Sequence, residues 1–244
     1  MNADFWDVAL VVIALGSFAA SFVNAAFATG GIYILLASSS AVLPLTAAVP
    51  LQSVFAFGSL VARVAYFWPH IRWPIVAAFG LGAAVGVFFG ARVFVSLSED
   101  AIALFLGILL LVLIWFPAVN WRSPVKHPFF FVGAIHSFIG TIFGVGALLQ
   151  PVMLRTELVK LQILSTLAAC LIAMDVFKIT GYVVYGFDYL DYLPHIALAT
   201  VMGFAGTWAG KRVTHRISER VFRLVYKLLI TGVAIRLLVK GVLG

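Results

Sequence analysis

Charge is scarce in this sequence and cysteine nearly absent. Of its 244 residues only 10% are Asp, Glu, Lys or Arg, while 64% are hydrophobic; soluble domains carry about 25% and roughly 45–50%. That balance excludes a water-soluble globule and implies an integral membrane protein. The one cysteine, Cys170, lies inside an apolar run, which excludes a disulfide framework and a cysteine-built metal site. His-x-x-x-His, Walker-loop and nucleophile-elbow patterns are missing, as are paired cytoplasmic carboxylates, which argues against an ATP-driven pump and a hydrolase. The first segment has no basic n-region, carrying Asp4 and Asp7 instead. It is expected to be retained rather than removed as a signal peptide.

What the chain does have is long apolar runs, at about 7–43, 47–68, 74–94, 101–116, 128–154, 158–185, 190–210 and 221–242. A helix of roughly 20 residues crosses a roughly 30 Å hydrocarbon core, and none of these runs alternates as a barrel strand does. The expected fold is an all-α integral membrane protein. Two runs are too long for one crossing: as straight helices the first would measure about 55 Å and the fifth about 40 Å. Each contains a glycine cluster, Thr29-Gly30-Gly31 and Gly144-Val145-Gly146. Both are read as broken segments, either re-entrant hairpins or pairs of short crossings, that return the chain to the side it came from.

With that parity the basic residues sort by side. One face receives Arg72, Arg122, Lys126, Arg155, Lys160, Lys211, Arg212, Arg216 and Arg220, and the other only Arg92 and Lys240 beside Asp4, Asp7, Glu99, Asp100, Asp188 and Asp191. Cytoplasmic loops are enriched in Lys and Arg, so both termini are expected on the non-cytoplasmic side. The formal charge of +7 is thereby assigned to topology and the lipid bilayer, and nucleic acid is not expected as a partner.

Self-comparison reveals a repeat. Gly86, Gly90, Arg92, Val93, Ser98 and Glu99 recur as Gly206, Gly210, Arg212, Val213, Ser218 and Glu219, an offset of 120. Ser21, Phe22, Phe27 and Gly30 recur as Ser137, Phe138, Phe143 and Gly146 at an offset of 116, and Leu51-Gln52 recurs as Leu161-Gln162. The chain therefore reads as an N-terminal membrane repeat (1–118), a cytoplasmic linker (119–127) and a C-terminal membrane repeat (128–244). Each repeat is a broken helical hairpin plus three transmembrane helices. An odd net number of crossings inverts the second copy, and inverted repeats with interrupted helices are the pattern of secondary transporters, with substrate bound near the bilayer midplane.

Helices that restart inside a membrane present free N–H groups suited to an anion. Asn24, Thr29, Gly30 and Gly31 would form such a site in the first repeat, and Gly140, Thr141, Gly144 and Gly146 in the second. Gln52, Ser53, Gln162, Ser165 and Thr166 would add side-chain donors; alternatively, these groups hydrogen-bond between helices or cap the breaks. Asp175 and Lys178, three residues apart on one helix face, form either a pathway element or a neutralised structural pair. His136 either titrates in a transport cycle or is a hydrogen-bonded core histidine, and Arg63 either belongs to the pathway or snorkels to the interface. No catalytic residue, metal ligand or cofactor is assigned. Gly82, Gly86 and Gly90, with Gly203, Gly206 and Gly210, form small-residue faces for internal packing or a homodimer. Besides a transporter, a membrane scaffold or assembly subunit and a membrane-embedded enzyme using Asp175 and His136 stay open.

The repeated unit of broken Gly-rich helix, Gln or Ser-Thr helix and Gly-x-x-x-Gly-x-Arg helix resembles the TauE/SafE family of sulfite-exporter-like permeases. The likeness spans nearly the whole chain and is clearest at Gly140 to Pro151 with Met153-Leu154, at Ser165-Thr166, and at the two Gly-x-x-x-Gly-x-Arg segments. The family's triple-glycine cluster and proline are reduced here to Gly30-Gly31 in the first half; the second keeps Gly144, Gly146 and Pro151, with Ala147 in between. Such a resemblance implies a plasma-membrane transporter without cofactor for a small sulfur-containing anion, sulfite or an organosulfonate, with export favoured by the membrane potential.

Overall fold

The computed structural model describes residues 3–27, 30–115, 128–146, 148–153, 155–213 and 219–243, and among these every regular element is helical. Helix α1 (Ala3–Phe27) is followed by α2 (Gly31–Val42), α3 (Leu45–Tyr66), a 3-10 turn at Trp68–His70, α4 (Trp73–Ser96) and α5 (Glu99–Trp115). Then come α6 (Pro128–Phe143), α7 (Leu149–Met153), α8 (Lys160–Val184), a 3-10 turn at Leu190–Tyr192, α9 (Leu193–Val213) and α10 (Glu219–Leu243). Segments Val8–Ala26, Leu45–Ala65, Trp73–Ser96 and Leu161–Val184 are long and apolar enough to cross a bilayer. The fold is that of an all-α membrane protein, as expected where lipid leaves a backbone no partner but itself.

Both long apolar runs are interrupted at their glycines. Gly30 has φ 99° and Gly144 φ 75°, in the left-handed region where a side chain is strained, so one helix ends and another starts there. The pieces are unequal. Helix α1, with 25 residues, measures about 38 Å and suffices to span about 30 Å; α2, with 12, measures only about 18 Å. Helix α6, with 16 residues, reaches about 24 Å and the five-residue α7 about 8 Å. The α1–α2 pair is an antiparallel hairpin, with Gly31 against Ala20 and Asn24 and Gly16 against Ser38.

The chain divides into two compact units. One comprises Met1–Ser59, Leu97–Pro117 and Tyr189–Gly244; the other comprises Leu60–Ser96 and Ala118–Asp188. The first unit therefore holds α1, α2, most of α3, α5, α9 and α10, and the second holds the end of α3 with α4, α6, α7 and α8. These units are not the sequence halves 1–118 and 128–244, because each takes helices from both. The expected linker, 119–127, lies outside the described residues.

Glycine faces explain the exchange. In the second unit, Gly82 and Gly86 of α4 lie so close to the Phe130 and Ala134 carbonyls of α6 that a Cβ would overlap them, and Gly133 of α6 meets the Phe79 carbonyl in return. Within the first unit, Gly206 and Gly210 of α9 meet the Phe18 and Phe22 carbonyls of α1 in the same way. Gly206 lies 120 positions after Gly86 and Ala134 lies 116 after Phe18, the two offsets found by self-comparison. Without a hydrophobic drive between helices in lipid, such backbone approach and the packing it permits hold them together. Phe79, Ala83 and Val87 of α4, Val132 of α6, Leu149 and Met153 of α7, and Cys170 and Met174 of α8 then fill the core of the second unit.

At one end of the first unit three helix termini converge. The Glu99 carboxylate, opening α5, accepts a hydrogen bond from Lys240 Nζ at the close of α10 (2.5 Å) and another from the Leu45 N–H that opens α3 (3.1 Å). Partial burial pushes this carboxyl up, but the Lys240 ammonium and the Leu45 N–H outweigh it and hold Glu99 below the usual carboxylate range.

Candidate polar sites at the helix breaks

In the first unit the break is capped by a neutral side chain. Asn24, one turn before the end of α1, accepts a hydrogen bond at Oδ1 from the Gly31 N–H (2.9 Å) that begins α2. Gly31 has to be glycine for this approach, since a Cβ there would overlap Asn24 and the Ala20 carbonyl. Thr29, assigned to the same site from sequence, lies outside the described residues.

Further along the hairpin, Ser39 of α2 gives its hydroxyl proton to the Leu36 carbonyl (3.2 Å) and accepts from Gln52 Nε2 of α3 (2.9 Å). Because the serine proton is already committed, the amide must turn its nitrogen towards Ser39. Gln52 Oε1 and the Ser53 hydroxyl are then left buried without a hydrogen-bond partner among the described residues, at 1% exposure each. An unsatisfied buried polar group costs about 1–3 kcal/mol, and α3 carries two of them in successive residues. The Ser53 hydroxyl can donate to an oxyanion, whereas Gln52 Oε1 is an acceptor.

The second unit solves its break with a ring. His136 of α6 is buried, and its Nδ1 accepts the N–H groups of Leu148 and Leu149 (3.1 Å each) at the start of α7. That nitrogen carries no proton in this arrangement, so of the two readings of His136 the geometry gives a hydrogen-bonded core histidine. Gly146 lies flat against the ring and Phe79 packs edge-on at 5.9 Å. The N–H groups expected to be free at this break are taken by the histidine.

Beside this break, Asp175 and Lys178 of α8 are buried at 5% and 1% exposure, and their charges interact. Tyr182, one turn on, donates its hydroxyl to the Thr141 carbonyl of α6, while Met174, one turn before, touches the open side of Gly140. Ser137 of α6 is fully buried, and its hydroxyl has no partner among the described residues.

Other sequence candidates have structural partners. Gln162 stands in the first turn of α8, where its Oε1 reaches back to the Val159 N–H (3.4 Å), nearer its helix start than Gln52 is in α3 despite their matched sequence positions. Ser165 bonds the Leu161 carbonyl (2.8 Å) in its own helix, and Thr166 accepts the Arg72 N–H (3.0 Å) that precedes α4. Arg63 lies half-buried in the last turn of α3 and engages a partner. Sequence reading missed Ser39, Ser137 and Tyr182; the serine run 38–40 in an apolar helix, and the i, i+4 spacing of Lys178 and Tyr182, are the signals that point to them. Among the described residues no group of three or more His, Cys, Asp or Glu could hold a metal ion.

Against known proteins, one family model matches, described as Sulfite exporter TauE/SafE and covering residues 13–237. No curated protein and no solved structure matches the chain.

Proposed function

We propose a function that proceeds from one fact: the chain belongs to the sulfite exporter TauE/SafE family. It is a multi-pass membrane transporter. Our reading is that it is a secondary permease of the plasma membrane that moves a small anion, sulfite or an organosulfonate, outward by alternating access of two inverted repeats, with both termini outside the cytoplasm. The observation that carries this reading is the pair of glycine-broken helices, at Gly30 and Gly144, with buried polar atoms of Ser137 on α6 and of Gln52 and Ser53 on α3 lacking partners among the described residues. Interrupted helices at membrane depth are tolerated where they face protein or a water-filled cavity, and in secondary transporters they mark the substrate site. Within the first unit, Gln52 and Ser53 are the neutral polar side chains of this reading. Export follows the electrical gradient, because an interior-negative potential favours outward movement of an anion by about 2.3 kcal/mol per charge per 100 mV.

The test is flux from proteoliposomes loaded with sulfite, thiosulfate or a sulfonate, under imposed voltage and pH gradients, against protein-free vesicles. Saturable, voltage-responsive efflux is expected. Gln52→Ala should raise KM on the order of tenfold, the loss of roughly 1.4 kcal/mol, while leaving the protein folded. Gln162→Ala, which removes a contact at a helix end, should do less. Absence of flux for every anion, from protein shown to be folded and inserted, would remove the transporter reading.

A further inference from the structure

We propose that Lys178 is the anion-binding cation of the second unit, and that Asp175 is its resting counter-ion, displaced when the anion arrives. The inference rests on the transporter reading above and names the residue that holds the charge of the substrate.

Three observations converge on it. Met174, Lys178 and Tyr182 recur at four-residue spacing and so share one face of α8. The outer two touch α6, at Gly140 and at the Thr141 carbonyl; Lys178 between them is 1% exposed and lies within electrostatic reach of His136. The Lys178 ammonium is thereby directed at the stretch of α6 that ends in the glycine break. In that stretch Ser137 holds a fully buried hydroxyl without a partner among the described residues, a donor with nothing to donate to.

A purely structural role explains the pair less well. Burying two charges from water is costly, and the desolvation penalty of a buried ion pair often exceeds its Coulomb gain. Nor does a structural pair account for the orphan Ser137 hydroxyl on α6. His136 uses its Nδ1 lone pair on two backbone N–H groups, so it does not neutralise an anion. Lys178 is left as the positive side chain facing this part of α6, and Asp175 keeps the empty site neutral. An oxyanion accepting from Lys178 and Ser137 competes with Asp175 for the same ammonium, so binding and release exchange one negative partner for another.

The experiment measures sulfite binding to the purified full chain, by ligand-dependent thermal stabilisation, alongside flux in proteoliposomes. Asp175→Asn removes the internal competitor and is expected to tighten sulfite binding several-fold while lowering stability without sulfite. Ser137→Ala should weaken binding about two- to tenfold, one hydrogen bond's contribution. The charge-balanced double variant Lys178→Met/Asp175→Asn leaves no uncompensated buried charge, so it should stay folded and lose affinity on the order of tenfold or more. Unchanged sulfite affinity in the double variant, or weaker binding in Asp175→Asn, overturns the proposal and makes the pair structural. A wild-type chain that moves no anion removes the transporter reading itself, and this inference with it.

Discussion

The two glycine breaks share a backbone solution and differ in nearly everything around it. At the first, an amide side chain, Asn24, caps one N–H, and the polar residues nearby, Ser39, Gln52 and Ser53, are neutral. At the second, an imidazole caps two N–H groups, and α8 brings the charges Asp175 and Lys178 beside it. The backbone requirement, a left-handed residue and a new helix start, is common to both. Charge is not. A duplicated element can keep its geometry while the side chains at its two copies diverge.

The largest effect should come from removing what the two units have in common. Gly86→Leu drives a side chain into the Ala134 carbonyl and Gly206→Leu into the Phe18 carbonyl. Each should abolish recovery of folded protein in detergent, read by size-exclusion profile. If one is tolerated and the other is not, the likeness of the two helix contacts is superficial. Next comes the contrast between the caps. His136→Ala strands two N–H groups and Asn24→Ala one, at about 1–3 kcal/mol each, so the histidine variant should lower Tm about twice as far, and equal losses would erase the asymmetry. The smallest effect concerns the ion pair outside both breaks. Glu99 is held below its ordinary range by Lys240 and Leu45, so its stabilisation is complete above the ordinary glutamate pKa of about 4.3. It fades as pH falls through the lowered value. Glu99→Gln should lower the neutral plateau of a Tm-against-pH curve slightly, leave its acid end nearly unchanged, and so flatten the fall between them.

Much of the helical layout was legible because apolar length and glycine placement act locally. The run expected at 47–68 is α3, Leu45–Tyr66, and the run expected at 158–185 is α8, Lys160–Val184. Thr29-Gly30-Gly31 announced its break because no other residue type takes a positive φ so readily. The interleaving of the units was less legible, since it depends on which glycine face meets which carbonyl across more than 100 residues of chain. The site was legible in part. Gln52 and Lys178 stood out as polar groups in apolar runs, but sequence spacing equated Gln52 with Gln162, which sits instead at a helix start. The fate of the N–H groups at the second break depended on the fold bringing α6 against α7, where His136 could reach them; periodicity carries no information about that.

The Glu99–Lys240–Leu45 junction has a further use as a depth gauge. It brings the C-terminal end of α10 and the N-terminal ends of α5 and α3 to one polar level, and positions along α3 can be measured from there. Seven residues on, at about 1.5 Å each, Gln52 lies about 10 Å along α3 from that level. The intervening turns bury Ala47, Ala48, Val49 and Leu51, so apolar side chains separate the amide from the junction.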